Sequence, residues 1–166
     1  MKIHHPDAER IAQEYIGSTQ PLEVLGWGVG GAVFVSPVAT NAVKVHLHVE
    51  GFERELSAYR RLRRRKVIEV LGLSVPRLVK YSSRLRVIEM SMVKPPYLLD
   101  FANARLDKPP DFPPETMQLW WDTLQERFGD RYGFVRSVYR ELAKRHRIYY
   151  LDFKPGNIEF GDMLSR

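Results

Sequence analysis

Asp152, Lys154 and Asn157 fall within six residues, around a Pro155-Gly156 turn, in the stretch Tyr150-Leu151-Asp152-Phe153-Lys154-Pro155-Gly156-Asn157. In a rigid polar loop of this kind an aspartate can accept a hydroxyl proton. A lysine can neutralise a phosphoryl group in transit, and an asparagine can ligate magnesium. Proline, glycine and asparagine are also turn formers, so the same residues fit a plain turn. Far upstream, Lys44 sits in the apolar run Ala42-Val43-Lys44-Val45. An ammonium there is costly unless it is paired, or unless the strand lies at an edge and the lysine reaches water.

Gly26, Gly28 and Gly31 satisfy G-x-G-x-x-G, a weak signal by itself. A dinucleotide site needs a helix directly after the third glycine. Here Ala32-Val33-Phe34-Val35-Ser36-Pro37 follows, which is β-branched, aromatic and broken by proline. That texture predicts strand, turn and strand, and a glycine loop between antiparallel strands can lie over a triphosphate. The 13 positions from Gly31 to Lys44 allow one strand, a turn and the next strand, bringing the ammonium beneath the loop. In the following helix Leu56, Tyr59 and Leu62 face the core and Glu55 borders that stripe. Glu53 lies about 160° away around the helix axis. Glu55 is therefore the preferred acid to reach Lys44, with Glu53 the second option, and either glutamate could simply serve the positive end of the helix dipole.

The elements that must position these groups follow from periodicity. Residues 6–16 read as an amphipathic helix stopped by Gly17, and 22–48 as short hairpin strands punctuated by glycine. Residues 50–65 read as a helix, with strands following at 77–81 and 85–90. Pro95-Pro96, Pro109-Pro110 and Pro113-Pro114 mark an extended stretch, interrupted by the apolar patch Tyr97 to Ala102. Two helices, 114–128 and 132–146, carry aromatic stripes that read as core. A short strand at 158–160 closes the pattern.

The chain has 166 residues, 44% hydrophobic and 28% charged, with no cysteine. This excludes disulfide frameworks, thiolate metal sites and cysteine nucleophiles. A polar, helical start and the lack of a long apolar run predict a soluble cytoplasmic protein without membrane partners. The formal charge is +6. Six basic residues, Arg60, Arg61, Arg63, Arg64, Arg65 and Lys66, crowd one run. Such a run suits nucleic acid or the solvated C-terminal end of a helix, and the acids Glu50, Glu53 and Glu55 upstream favour the second reading.

In this order the motifs resemble the protein-kinase-like superfamily of protein kinases and small-molecule phosphotransferases. Gly26, Gly28, Gly31 and Val33 match G-x-G-x-x-G-x-V; Ala42-Val43-Lys44 matches the strand-lysine motif, and Glu55 the helix glutamate. Ile88-Glu89-Met90-Ser91 resembles the hinge that reads adenine through its backbone, and Asp152 to Asn157 matches D-L-K-P-x-N. The resemblance implies an α+β, protein-kinase-like fold forming one domain over 1–166. Residues 1–90 would form a small antiparallel sheet with one crossing helix and the N-terminal helix, and 91–166 the hinge, linker and a truncated helical lobe. ATP and Mg2+ are the implied cofactors. Lys44 would hold the α- and β-phosphates and Glu55 orient it; Asp152 would act as base, Lys154 as charge stabiliser and Asn157 as metal ligand. Gly26, Gly28, Gly31, Val33, Ala42, Glu89 and Ser91 would surround the nucleotide.

Two departures stand out. Tyr150 occupies the place of the family's loop histidine. The D-F-G aspartate is expected about a dozen residues after the asparagine, yet Glu159 and Asp162 are the only acids beyond Asn157. Asp162 is thus the leading candidate for the second metal ligand, with Glu159 behind it, and a Phe160-Gly161-Asp162 turn is the plainer reading. The expected activity is γ-phosphoryl transfer to a protein or small-molecule hydroxyl. The alternatives are an inactive relative that binds nucleotide or a protein partner, and a polyanion binder acting through residues 60–66.

Overall fold

The computed structural model describes residues 6–37 and 40–163. Helix α1 (Pro6–Ile16) leads into strands β1 (Val24–Gly28), β2 (Gly31–Val35) and β3 (Asn41–His46), then helix α2 (Val49–Arg64). Short strands β4 (Glu69–Val70) and β5 (Leu73–Ser74) precede β6 (Leu78–Ser82) and β7 (Val87–Ser91). Two more short strands follow, β8 (Tyr97–Leu98) and β9 (Arg105–Leu106), before helices α3 (Pro114–Phe128) and α4 (Tyr132–Glu141). Strands β10 (Ile148–Tyr149) and β11 (Ile158–Glu159) bracket the polar loop. The fold is α+β.

Alternation along the strands divides the chemistry from the packing. The five-stranded antiparallel sheet has the order β1-β2-β3-β7-β6. Val33 pairs with Lys44 and Phe34 with Val43, so neighbouring residues of β3 project from opposite faces. On one face Ala32, Phe34, Val43, Val45 and Val87 pack beneath Ala8 and Ala12 of α1. On the other, Ala42, Ile88 and Met90 join Phe52, Leu56, Tyr59 and Leu62 of α2. That second core continues without a break into Leu124, Val135, Val138 and Leu142 of the later helices. The sheet and the helical half therefore share one apolar interior, and Lys44 lies on the face that looks into it.

Helix α2 forms where its apolar residues recur at three and four positions, with Glu50 in its first turn and Arg61, Arg63 and Arg64 in its last. Those charges complement the helix dipole. Arg61 and Arg65 go further. Arg61 grips the Asp107 carboxylate with both guanidinium nitrogens at 2.8 and 2.9 Å, and Arg65 donates to the Arg145 carbonyl. Two members of the basic run are thus spent holding α2 to the helical half.

The helix expected over 132–146 ends as α-helix at Glu141 and continues as a π turn to His146, closed by left-handed Arg147. The proline-rich stretch read as a linker is more ordered than its composition suggests. It carries β8, which joins β11 and β5 in a second sheet, and β9, which pairs with β10. Among the described residues no helix is long and apolar enough to cross a membrane.

Candidate active site: a buried lysine beside a polar loop

Lys44 reaches across from β3 to α2, where its Nζ lies 2.8 Å from Glu55 Oε2. A second carboxylate, Asp100 Oδ1, stands 3.2 Å from the same ammonium. His46, two residues along β3 and so on the same face, places Nε2 2.5 Å from Glu55 Oε2 and Nδ1 3.3 Å from the Arg86 carbonyl. Glu55 is 1% exposed, His46 2% and Lys44 8%. Burial alone would push the Glu55 carboxyl up. The Lys44 charge and the His46 hydrogen bond overcome that and hold it down at about 2. For Lys44 burial pulls the other way, and the carboxylates of Glu55 and Asp100 win, raising its pKa. The ammonium is therefore fixed and fully charged. Glu53, the other acid considered on α2, is exposed.

The polar loop 150–157 is held by its backbone. Arg127 of α3 donates to the Phe153 carbonyl at 2.7 Å, and the N–H groups of Asn157 and Ile158 both return to the Lys154 carbonyl. Gly156 has φ +92°, a conformation that favours glycine. Phe153 is buried against Tyr150 and Trp120. Within this frame Asn157 Nδ2 donates to Asp152 Oδ2 at 2.8 Å and to the Asp152 carbonyl at 3.1 Å. Lys154 Nζ lies 3.3 Å from Asp152 Oδ2. With the Asn157 amide nitrogen turned to Asp152, Asn157 Oδ1 and Asp152 Oδ1 carry no hydrogen bond among the described residues.

Tyr150, in the histidine's place, is fully buried and donates its hydroxyl to the Leu99 and Asp152 carbonyls. Burial, then the charges of Asp100 and Asp152, push its phenol well up. Tyr150 thus stands as a neutral hydrogen-bonding strut between the two groups of charges.

The glycines divide. A Cβ on Gly31 would meet the Val45 carbonyl oxygen at 2.0 Å, so glycine is required there for β2 to lie on β3. Around Gly26 and Gly28 nothing lies within 4 Å of a built Cβ, so packing does not require glycine at either position. Val33 and Ala42 lie on the Lys44 face of the sheet, packed on the core beneath it.

Glu89 and Ser91 sit elsewhere than the hinge reading requires. Strand β7 is paired on both sides, by β3 and β6. Glu89 pairs with Val43, on the α1 face, and its carboxylate accepts from Tyr15 and Asn41. Ser91 gives its N–H to the Arg77 carbonyl and Met92 to that of Thr40. The Glu89 carboxylate and the Ser91 and Met92 N–H groups are thus taken up within the fold. Asp162 is exposed in the turn 161–163. There Gly161 abuts Pro95 and Pro96, and among the described residues no hydrogen bond or ion pair joins Asp162 to Asp152 or Asn157.

Asp100 was invisible to motif spacing. It precedes the loop in sequence, inside the apolar patch Tyr97 to Ala102. The only available signal was a charge within that patch, flanked by Leu99 and Phe101.

No family model and no curated protein matches the chain. Similar solved structures are aminoglycoside phosphotransferases, members of the protein-kinase-like superfamily. A streptomycin–ATP–APH(2'')-IIa ternary complex is 21% identical with TM-score 0.38, over 57% of this chain and 30% of that one. A gentamicin–APH(2'')-IIa complex is 15% identical with TM-score 0.45, over 99% and 44%. ADP-bound APH(2'')-Ib is 17% identical with TM-score 0.39, over 76% and 40%. The chain spans less than half the length of each. At these scores a functional reading has to rest on the chain's own residues.

Proposed function

We propose that the chain binds ATP between the β1–β2 hairpin and the loop 150–157 and transfers its γ-phosphoryl group to a hydroxyl. The observation that carries this reading is the buried Lys44 ammonium, charged and held by Glu55 on the cleft face of the sheet. A buried charge needs such support, and a preorganised ammonium is suited to phosphate oxygens. Gly26 and Gly28 let backbone approach the phosphates from above.

Asp152 takes the acceptor's hydroxyl proton at Oδ1 as the acceptor oxygen bonds to the γ-phosphorus. The bond from that phosphorus to the β,γ-bridging oxygen breaks, and ADP leaves. Lys154, beside Asp152, offsets charge on the moving group. Among the described residues no three carboxylate or histidine side chains converge on one point. That donor set does not suit a resident metal, but it fits magnesium, which keeps its waters and binds through one or two carboxylates and substrate phosphates. Asn157 Oδ1 and a neighbouring carboxylate would hold the cation, which when bound neutralises charge between the β- and γ-phosphates.

Calorimetric titration of ATP tests the reading. Lys44→Met leaves Glu55 with its His46 partner and is expected to weaken ATP binding about ten- to a hundred-fold. Arg64→Ala, at the exposed end of α2, leaves it unchanged. Affinity that followed Arg64 instead of Lys44 would make the protein a polyanion binder, and binding without turnover would make it an inactive relative.

A further inference from the structure

The loop 150–157 has a counterpart. It joins β10 to β11, and residues 99–104 join β8 to β9. Strand β8 pairs with β11, through Leu98–Ile158 and Tyr97–Glu159, while β9 pairs with β10, through Leu106–Ile148 and Arg105–Tyr149. Two loops that bridge the same two strand pairs are forced to lie against each other. Their ties are direct: Leu99 N–H donates to the Asn157 carbonyl at 2.7 Å, and Tyr150 returns its hydroxyl to the Leu99 carbonyl. At the crest of the second loop stands Asp100.

Phe101, fully buried between Tyr59 and Tyr150, anchors that crest. Asp100 itself has φ +61°, which aspartate and asparagine tolerate better than most residues. Its Oδ1 accepts from Lys44 Nζ and from the Ala102 N–H, both at 3.2 Å. Its Oδ2 carries no hydrogen bond among the described residues, and the side chain is 32% exposed.

We propose that Asp100, not Asp162, is the carboxylate ligand of the divalent cation that enters with nucleotide. It is delivered from ahead of the catalytic loop in sequence and fixed against that loop by strand pairing. This rests on the nucleotide reading above. Two carboxylates, Glu55 and Asp100, already face the one Lys44 ammonium before any phosphate arrives. Metal-free ATP meets repulsion from Asp100, whereas ATP with a cation gains a ligand.

That difference predicts a change of sign. In the wild-type chain Mg2+ strengthens ATP binding, by about tenfold for a charge-assisted contact. Asp100→Asn, which keeps shape and backbone preference, binds metal-free ATP at least as tightly as wild type and loses the Mg2+ gain. Asp162→Ala behaves as wild type. A Mg2+ gain that survives in Asp100→Asn, or one that disappears in Asp162→Ala, overturns the assignment and leaves nucleotide binding intact. So does a wild type that binds ATP with no Mg2+ gain. Absence of ATP binding under both conditions overturns the nucleotide reading together with this one. The native chain offers a second test that needs no variant. Mn2+ added with ATP should broaden the NMR amide signals of residues 100–102 before those of 161 and 162, and the opposite order would contradict the proposal.

Discussion

The two sides of the cleft hold their charges by opposite means. On the sheet side Lys44, His46 and Glu55 are each less than one-tenth exposed and held by one another. On the loop side Asp152 and Lys154 have side chains 21% and 50% exposed, and their position comes from the backbone, through Arg127, Gly156 and the strand pairing of β10 and β11. Buried charges hold a fixed geometry because losing a partner in a low-dielectric interior is costly. Half-exposed charges can approach and leave a substrate at little cost. The sheet side thus holds an ammonium still, while under the proposed function the loop side exchanges protons and phosphoryl groups. Substitutions should affect stability on the first side and turnover on the second.

The largest effect belongs to Glu55. Glu55→Ala strips Lys44 and His46 of their shared partner and is expected to lower the unfolding free energy by about 3–5 kcal/mol, measured by urea denaturation. A loss below about 1 kcal/mol would place the pair in the surface regime and erase the contrast. The acid limb sharpens it. The Glu55 carboxyl is depressed from its ordinary 4.5 to about 2, so its contribution is complete above about pH 4.5 and drains away as the pH falls towards 2. Glu55→Ala should flatten the stability profile across that window. The smallest stability effect is expected on the other side. Asp152→Asn still accepts from Asn157 and should change the unfolding free energy by less than about 1 kcal/mol. Phosphoryl transfer should nevertheless fall by about 10²–10⁴-fold, the span of a lost general base. A destabilised Asp152→Asn with normal turnover would reverse the roles assigned to the two sides.

Legibility in the sequence follows the same divide between local and distant causes. The loop Asp152 to Asn157 could be read because its chemistry and its turn residues are contiguous. Lys44 and Glu55 could be paired because strand and helix periodicities fix the face that each presents. Helices α1 and α3 have the limits that capping and proline suggested. Asp100 could not be found this way, because its place depends on two-residue strands paired with partners some 40 to 60 positions away, and so short a strand leaves no periodicity. Glu89 was misplaced for a related reason. Its strand was legible, but whether the backbone stayed within the sheet or left it for a ligand depends on β6 and Arg77, neither of which announces its partner. Only the fold shows His46 sharing the Glu55 carboxylate with Lys44.

The central claim is that the terminal phosphates of ATP lie between Lys44 and the catalytic loop. An acyl-phosphate derivative of ATP tests it most directly, since the acyl group passes to an amine beside the phosphates and marks that lysine for peptide mass spectrometry. The account predicts labelling of Lys44 and Lys154, suppressed by excess ATP, with exposed lysines such as Lys66 and Lys108 unmarked. Labelling confined to those exposed lysines, or labelling that ATP does not suppress, would contradict it.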